Sequence, residues 1–248
     1  QWHLASTPRG QLNSNMFPEA ELDSIAYGYN RARFSWYIVD RLFLEDRNIT
    51  PTHIKNDKDM QSDHMVRQVL ETEVFPNKQS PNNVPVHIPV LNLAYYPTER
   101  GPYNFDVEGI PGISAGLNAD GTLNSPQSRW GGIMRKIEST DFEAVNIEYI
   151  EFWMMDPFIN DPTHSGGYLY FNLGDVSEDV LKDSRKSYEN GLPTSANVQN
   201  VDTTIWGRVP TLQALVNTFD NNPSSREFQD VGFDGLSDAD EMSYYDQQ

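Results

Sequence analysis

The sequence predicts a mainly β protein, an antiparallel β-sandwich with two or three short helices and long loops. Runs of aromatic and branched residues at 130–137, 145–155 and 168–173 are separated by turn clusters, Ser139-Thr140-Asp141 and Asp161 to Gly167, which is the pattern of neighbouring antiparallel strands. Within Asn146 to Met154, Ile147, Tyr149, Glu151 and Trp153 alternate with Glu148, Ile150, Phe152 and Met154. Both faces of such a strand carry large apolar groups, so it belongs inside a sandwich and not on an exposed sheet. The 248 residues hold no cysteine, yet a chain of this length can bury a self-sufficient core without disulfides.

The elements follow in order. Residues 1–26 are polar at their start, contain Pro8 and Gly10, and read as a connector or extended arm. The opening Gln1 in place of Met gives the look of an excised or processed segment. A sandwich domain is expected over 27–219. Its first strand lies within Tyr27 to Phe43 and ends near Asp40, with Phe34, Trp36 and Ile38 alternating against Ser35 and Tyr37. Asp63 can cap a short amphipathic helix that carries Met65, Val66, Val69 and Leu70 and stops at Pro76. Val90 to Tyr96 is a strand closed by Pro97, and 101–126 is a long glycine- and proline-rich loop system. Further helices are expected at Ser177 to Tyr188, where acids open and bases close the segment, and at Thr211 to Phe219, where Leu212, Leu215, Val216 and Phe219 share one face. Residues 220–248 form an acidic C-terminal segment.

Charge excludes one class of partner. With 18 basic against 36 acidic residues the net charge is −18, and no Lys/Arg stripe relieves it, so nucleic acid is a poor partner. Absent cysteine removes thiolate nucleophiles and Cys-ligated zinc. The longest apolar runs are short and interrupted by Glu148 and Glu151, so no helix should span a bilayer.

The sharpest local pattern lies in the acidic segment. Laid on a twelve-position calcium loop, Asp230, Asp234, the Leu236 carbonyl, Asp238 and Glu241 fall at ligand positions, with Gly235 at the sharp turn. A hard cation wants six to eight oxygens, and only Gly232 fails to offer one from its side chain. The competing reading is an acidic, solvated tail with a glycine turn. The similar Asn118-Ala-Asp120-Gly121-Thr122 is better read as a tight turn. His3, His53, His64, His87 and His164 show no zinc spacing.

Two binding or catalytic alternatives remain. Tyr95-Tyr96 and Tyr103-Asn104-Phe105 could stack on sugars, as in a carbohydrate-binding module, against a bland reading of core or loop packing. Glu148, Glu151 and Asp156 near Trp153 are the first suspects for a glycosidase pair, but alternation sends Glu148 and Glu151 to opposite faces. No Gly-x-Ser-x-Gly, P-loop or dinucleotide fingerprint occurs.

Longer strings carry a resemblance. Tyr29-Asn-Arg-Ala-Arg-Phe-Ser-Trp-Tyr-Ile-Val-Asp40, Ala94-Tyr-Tyr-Pro-Thr-Glu-Arg-Gly-Pro-Tyr-Asn-Phe-Asp106, Arg129-Trp-Gly-Gly-Ile-Met-Arg-Lys136, Asp141 to Phe158, Gly167 to Asp179, Arg185 to Gly191, Trp206 to Thr211 and Gln229 to Leu236 resemble the SprA/Sov family of Bacteroidetes. That family comprises giant outer-membrane translocons of gliding motility and type IX secretion. The resemblance runs over roughly 27–236, and departs from the family where Asp40-Arg41-Leu42-Phe43 stands in place of Asp-Pro-Leu-Phe. It implies a non-enzymatic, soluble structural or interaction domain, inserted in an outer-membrane protein of the bacterial cell envelope and lying at the cell surface or in the periplasm. Its partners would be other parts of the same translocon chain, accessory subunits and secreted cargo. The strand Glu148 to Asp156, followed by the strand after Gly166-Gly167, resembles a galactose-binding-like jelly roll. Evenly spaced lipid-facing hairpins are lacking, so the segment is not itself the membrane barrel.

Overall fold

The computed structural model describes residues 2–10, 16–139 and 141–184, the backbone of 201–204 and 207–210, and residues 222 and 224. Among these the chain is mainly β, with small antiparallel sheets, a few one-turn helices and long loops. The strands are β1 (His3–Leu4), β2 (Ala32–Tyr37), β3 (Val69–Leu70), β4 (His87–Ile88), β5 (Asn92–Arg100), β6 (Ile133–Met134), β7 (Val201–Thr204) and β8 (Gly207–Pro210). They pair as β1 with β6, β2 with β5, β3 with β4 and β7 with β8. The helices are α1 (Arg41–Leu44), α2 (Thr52–Lys55), α3 (Lys58–Ser62) and α4 (Glu71–Val74). The chain divides into two compact units, 1–34 with 95–136 and 172–248, and 35–94 with 137–171.

In the first unit the opening residues, expected as an extended arm, are docked. His3 and Leu4 pair with Met134 and Ile133 of β6, and Ser6 and Thr7 are buried. The Ser6 hydroxyl donates to the Ser177 carbonyl (2.7 Å), and the Thr7 hydroxyl to that of Tyr27 (3.2 Å). Two 3-10 turns follow, Pro18–Glu21 and Ile25–Gly28, the second capped by the Ser24 hydroxyl. Gly28 is required because a Cβ there would collide with the Tyr103 carbonyl. Tyr103, Val180 and Leu181 form a small apolar cluster with Leu4, Ile25, Phe105 and Met134 packed on it. The predicted strand over 130–137 shrinks to β6. The predicted helix at Ser177 to Tyr188 is absent over its described part. The Asp179 carboxylate accepts from the backbone N–H groups of Leu181, Asp183 and Ser184, while Lys182 and Ser184 take positive φ. A short acid that captures backbone donors locally displaces the i→i+4 bonds a helix needs.

β5 corrects a boundary. It continues through Pro97 to Arg100, because in a two-stranded ribbon a residue can face away from the partner and need donate no N–H. The predicted turn at Asn118–Thr122 is present: Leu117 and Leu123 bridge, Gly121 has φ +83°, and the Asp120 carboxylate accepts from the Thr122 backbone N–H (3.0 Å) and hydroxyl (2.6 Å).

The second unit replaces the predicted helix at 63–75 with three short pieces. Asp63 does start a turn, its carboxylate accepting from the Met65 N–H (2.9 Å), but Val69 and Leu70 leave it to pair with Ile88 and His87, and α4 begins afresh at Glu71. Branched Val69 favours the extended form once a partner strand is at hand. A further one-turn helix, α3, ends just before Asp63 and is capped by Asp57 through the Met60 N–H (2.9 Å). Residues 145–155 and 168–173, expected as the core strands, carry no regular hydrogen-bonded structure. The helix expected at Thr211 to Phe219 lies outside the described residues.

Candidate functional site

Three places in the described structure concentrate chemistry. The first is a buried polar node in the first unit. Asp106 and Arg129 are completely buried, and the Arg129 Nη1 lies 3.4 Å from Asp106 Oδ2. Asp106 also accepts from the backbone N–H of Gly109 and of Gly116, both at 2.9 Å. Arg129 donates to the carbonyls of Tyr29 (2.8 Å), Asn124 (2.9 Å) and Gly116 (3.0 Å). Gly116, at φ +68°, brings its backbone so close to Val107 and Glu108 that a Cβ would sit 2.7 Å from the Val107 carbonyl oxygen. Beside this pair, buried Glu19 accepts from Asn30 Nδ2 and from Trp130 Nε1, each at 2.8 Å. Arg31, also buried, lies over the rings of Trp130 and Tyr103 at 5.2 and 5.9 Å. Burial pushes the Glu19 carboxyl above its ordinary range, against the opposing pull of the Asn30 and Trp130 donors and the Arg31 charge. Asp106, Arg129 and Glu19 each bond to several specific partners, so the node fixes loops relative to strands.

The second place is a charged cluster in the second unit. Glu45 accepts from Gln68 Nε2 (3.0 Å), from Arg47 (2.6 Å to its Nη2) and from Arg41 (2.9 Å to its Nε). These donors hold its carboxyl down at about 2. A cavity of about 470 Å³ is lined by Ile38, Leu44, Val66, Ile88 and Val90 together with Arg41, Arg47 and Arg67. Those arginines are already engaged, two with Glu45 and Arg67 with Glu73.

The third place is the stretch 145–171. Tyr149, Trp153 and Tyr168 are 78%, 73% and 89% exposed, and Ile150, Phe152, Met154, Leu169, Tyr170 and Phe171 are exposed as well. From 148 to 155 no backbone N–H or C=O has a backbone partner among the described residues. Ring contacts are few: Phe75 meets Trp153 edge-on at 6.2 Å, Phe152 meets Phe171 at 5.0 Å, and Tyr168 meets Tyr170 at 6.0 Å. Residues 137–171 contain Glu138, Asp141, Glu143, Glu148, Glu151, Asp156 and Asp161 and no lysine or arginine.

The residues singled out in the sequence fall unevenly on these places. Tyr103-Asn104-Phe105 is no sugar platform. Tyr103 is buried, Asn104 donates to the Arg31 carbonyl (2.7 Å), and Phe105 packs on the apolar cluster. Tyr95 donates to the Arg129 carbonyl (2.6 Å), and burial of its hydroxyl pushes it up to about 12, while Tyr96 lies beneath the Arg33 guanidinium at 4.9 Å. Glu148, Glu151 and Asp156 are exposed in the extended stretch. Among the described residues no group of histidines and carboxylates is arranged to hold a metal ion. The calcium-loop residues Asp230, Asp234, Leu236, Asp238 and Glu241 lie outside the described residues. Sequence reasoning missed both Asp106 and Glu45. Glu45 had a readable signal, Arg41 four residues before it and Arg47 two after. Asp106 and Arg129 are 23 positions apart and are joined only by the fold.

No family model matches the chain, and no curated protein matches it either. No helix among the described residues is long and apolar enough to cross a membrane.

Proposed function

We propose that this chain is a structural and interaction domain of a type IX secretion translocon in the bacterial outer membrane, supporting export of folded cargo. The observation that carries the reading is the run of strings resembling the SprA/Sov family across roughly 27–236. The character of the molecule agrees with it: the best-built polar node is fully occupied with holding loops, and the large apolar groups of 145–171 face outward, as an interaction module requires. In this reading the domain is a galactose-binding-like jelly roll, placed at the cell surface or in the periplasm. Other parts of the translocon chain, accessory subunits and cargo are its partners. Deleting 27–236 from the parent protein is expected to abolish or sharply reduce cargo export with the barrel still inserted; undiminished export contradicts an essential role.

Calcium at Asp230, Asp234, Leu236, Asp238 and Glu241 is part of the proposal. Calorimetric titration of the chain should show calcium heat that Asp230→Asn with Glu241→Gln removes; no heat and no shift in melting temperature dismiss the ion. A second reading, a carbohydrate-binding module of a cell-surface protein, is favoured by the exposed rings of Trp153, Tyr168 and Tyr170. A glycan array separates the two, since the translocon reading expects no signal.

A further inference from the structure

We infer that residues 145–171 are a docking segment for a basic β-strand of another polypeptide, with apolar residues on its alternate positions. The inference does not rest on the translocon reading and stands on three observations within the second unit. The backbone from 148 to 155 offers N–H and C=O groups with no backbone partner among the described residues, and main-chain groups left unpaired in this way are open to pairing with an added strand. Large apolar side chains project from both alternating sets, Tyr149 and Trp153 on one and Ile150, Phe152 and Met154 on the other. Residues 137–171 carry seven carboxylates and no lysine or arginine, so the complementary strand is basic.

The same observations disfavour other occupants. A second copy would set the seven carboxylates against their equals. An anionic membrane surface would repel them. A sugar stacks on rings, but Ile150, Met154 and Leu169 have no ring face to offer and are exposed as well. A basic strand satisfies backbone, apolar surface and charge together.

The test uses the 248-residue chain and a labelled peptide of about ten residues that alternates lysine with valine or tyrosine. Anisotropy should report saturable binding that weakens as salt rises, and hydrogen exchange should slow at 148–155 and 168–171 when the peptide is added. Glu148→Lys with Glu151→Lys should weaken binding about tenfold or more, and Tyr149→Ser should weaken it measurably, with melting temperature unchanged in both because these side chains are exposed. A matched peptide with glutamate for lysine should not bind. Equal binding of the glutamate peptide, absence of binding by the lysine peptide, slowed exchange elsewhere than 145–171, or displacement by soluble oligosaccharides would each overturn the inference.

Discussion

The node around Asp106 and the stretch 145–171 invert the usual division of a protein into apolar inside and polar outside. In the first region, a carboxylate and a guanidinium with no exposed surface are held by backbone amides and carbonyls at every side. In the second, Tyr149, Trp153 and Tyr168 stand in solvent, and from 148 to 155 the backbone has no backbone partner among the described residues. The contrast teaches where the chain is finished and where it is not. Buried charges are tolerated only when completely partnered, which makes the node self-contained. Contiguous apolar exposure marks a surface open to a partner, the role we infer for 145–171.

The largest effect expected from breaking this comparison is at Arg129. Arg129→Met strands Asp106 as an unpaired buried charge and releases the carbonyls of Tyr29, Asn124 and Gly116, so it should cost about 3–5 kcal/mol in denaturant unfolding. Trp130→Phe is milder. It removes one donor from buried Glu19 and should cost about 1–3 kcal/mol. Trp153→Ser, by contrast, should change stability by no more than about 0.5 kcal/mol, since the ring is 73% exposed and touches little beyond Phe75.

Acid sharpens the comparison because two carboxyls respond with opposite sign. Glu45 is held at about 2, below its ordinary 4.5, so the unfolded chain binds the extra proton; its contribution is present above 4.5 and lost as pH falls toward 2. Glu19 is raised by burial, so the folded state binds the extra proton, and its contribution is present below its ordinary value and lost as pH rises through the folded one. Titrating stability from pH 7 to 2 in Glu45→Gln should flatten the acid limb. Glu19→Gln should remove the loss on the rising side and leave that acid limb in place.

Only the coarsest part of the architecture was legible in the residues, a mainly β chain with short helices and long loops. The aromatic run at Ala32–Tyr37 forms β2, and Asp120-Gly121 makes its turn because glycine accepts the positive φ the turn needs. The helix at 63–75 misled because Val69 satisfies helical spacing and strand pairing alike, and only the arrival of His87–Ile88 decides between them. Tyr103-Asn104-Phe105 looked like a surface loop, since nothing local reveals that Asn104 will donate to Arg31 from 73 positions away. The alternation of 145–155 predicted a strand that the structure lacks, because periodicity shows which faces are apolar and supplies no partner strand to bond to.

Hydrogen exchange on the chain without any partner tests the central contrast most directly. The account predicts strong protection at the Gly116 and Leu123 amides, bonded to buried Asp106 and to the Thr98 carbonyl, with exchange near the unstructured rate from 148 to 155. Equal protection in the two regions would mean that 145–171 is already covered, and would contradict it.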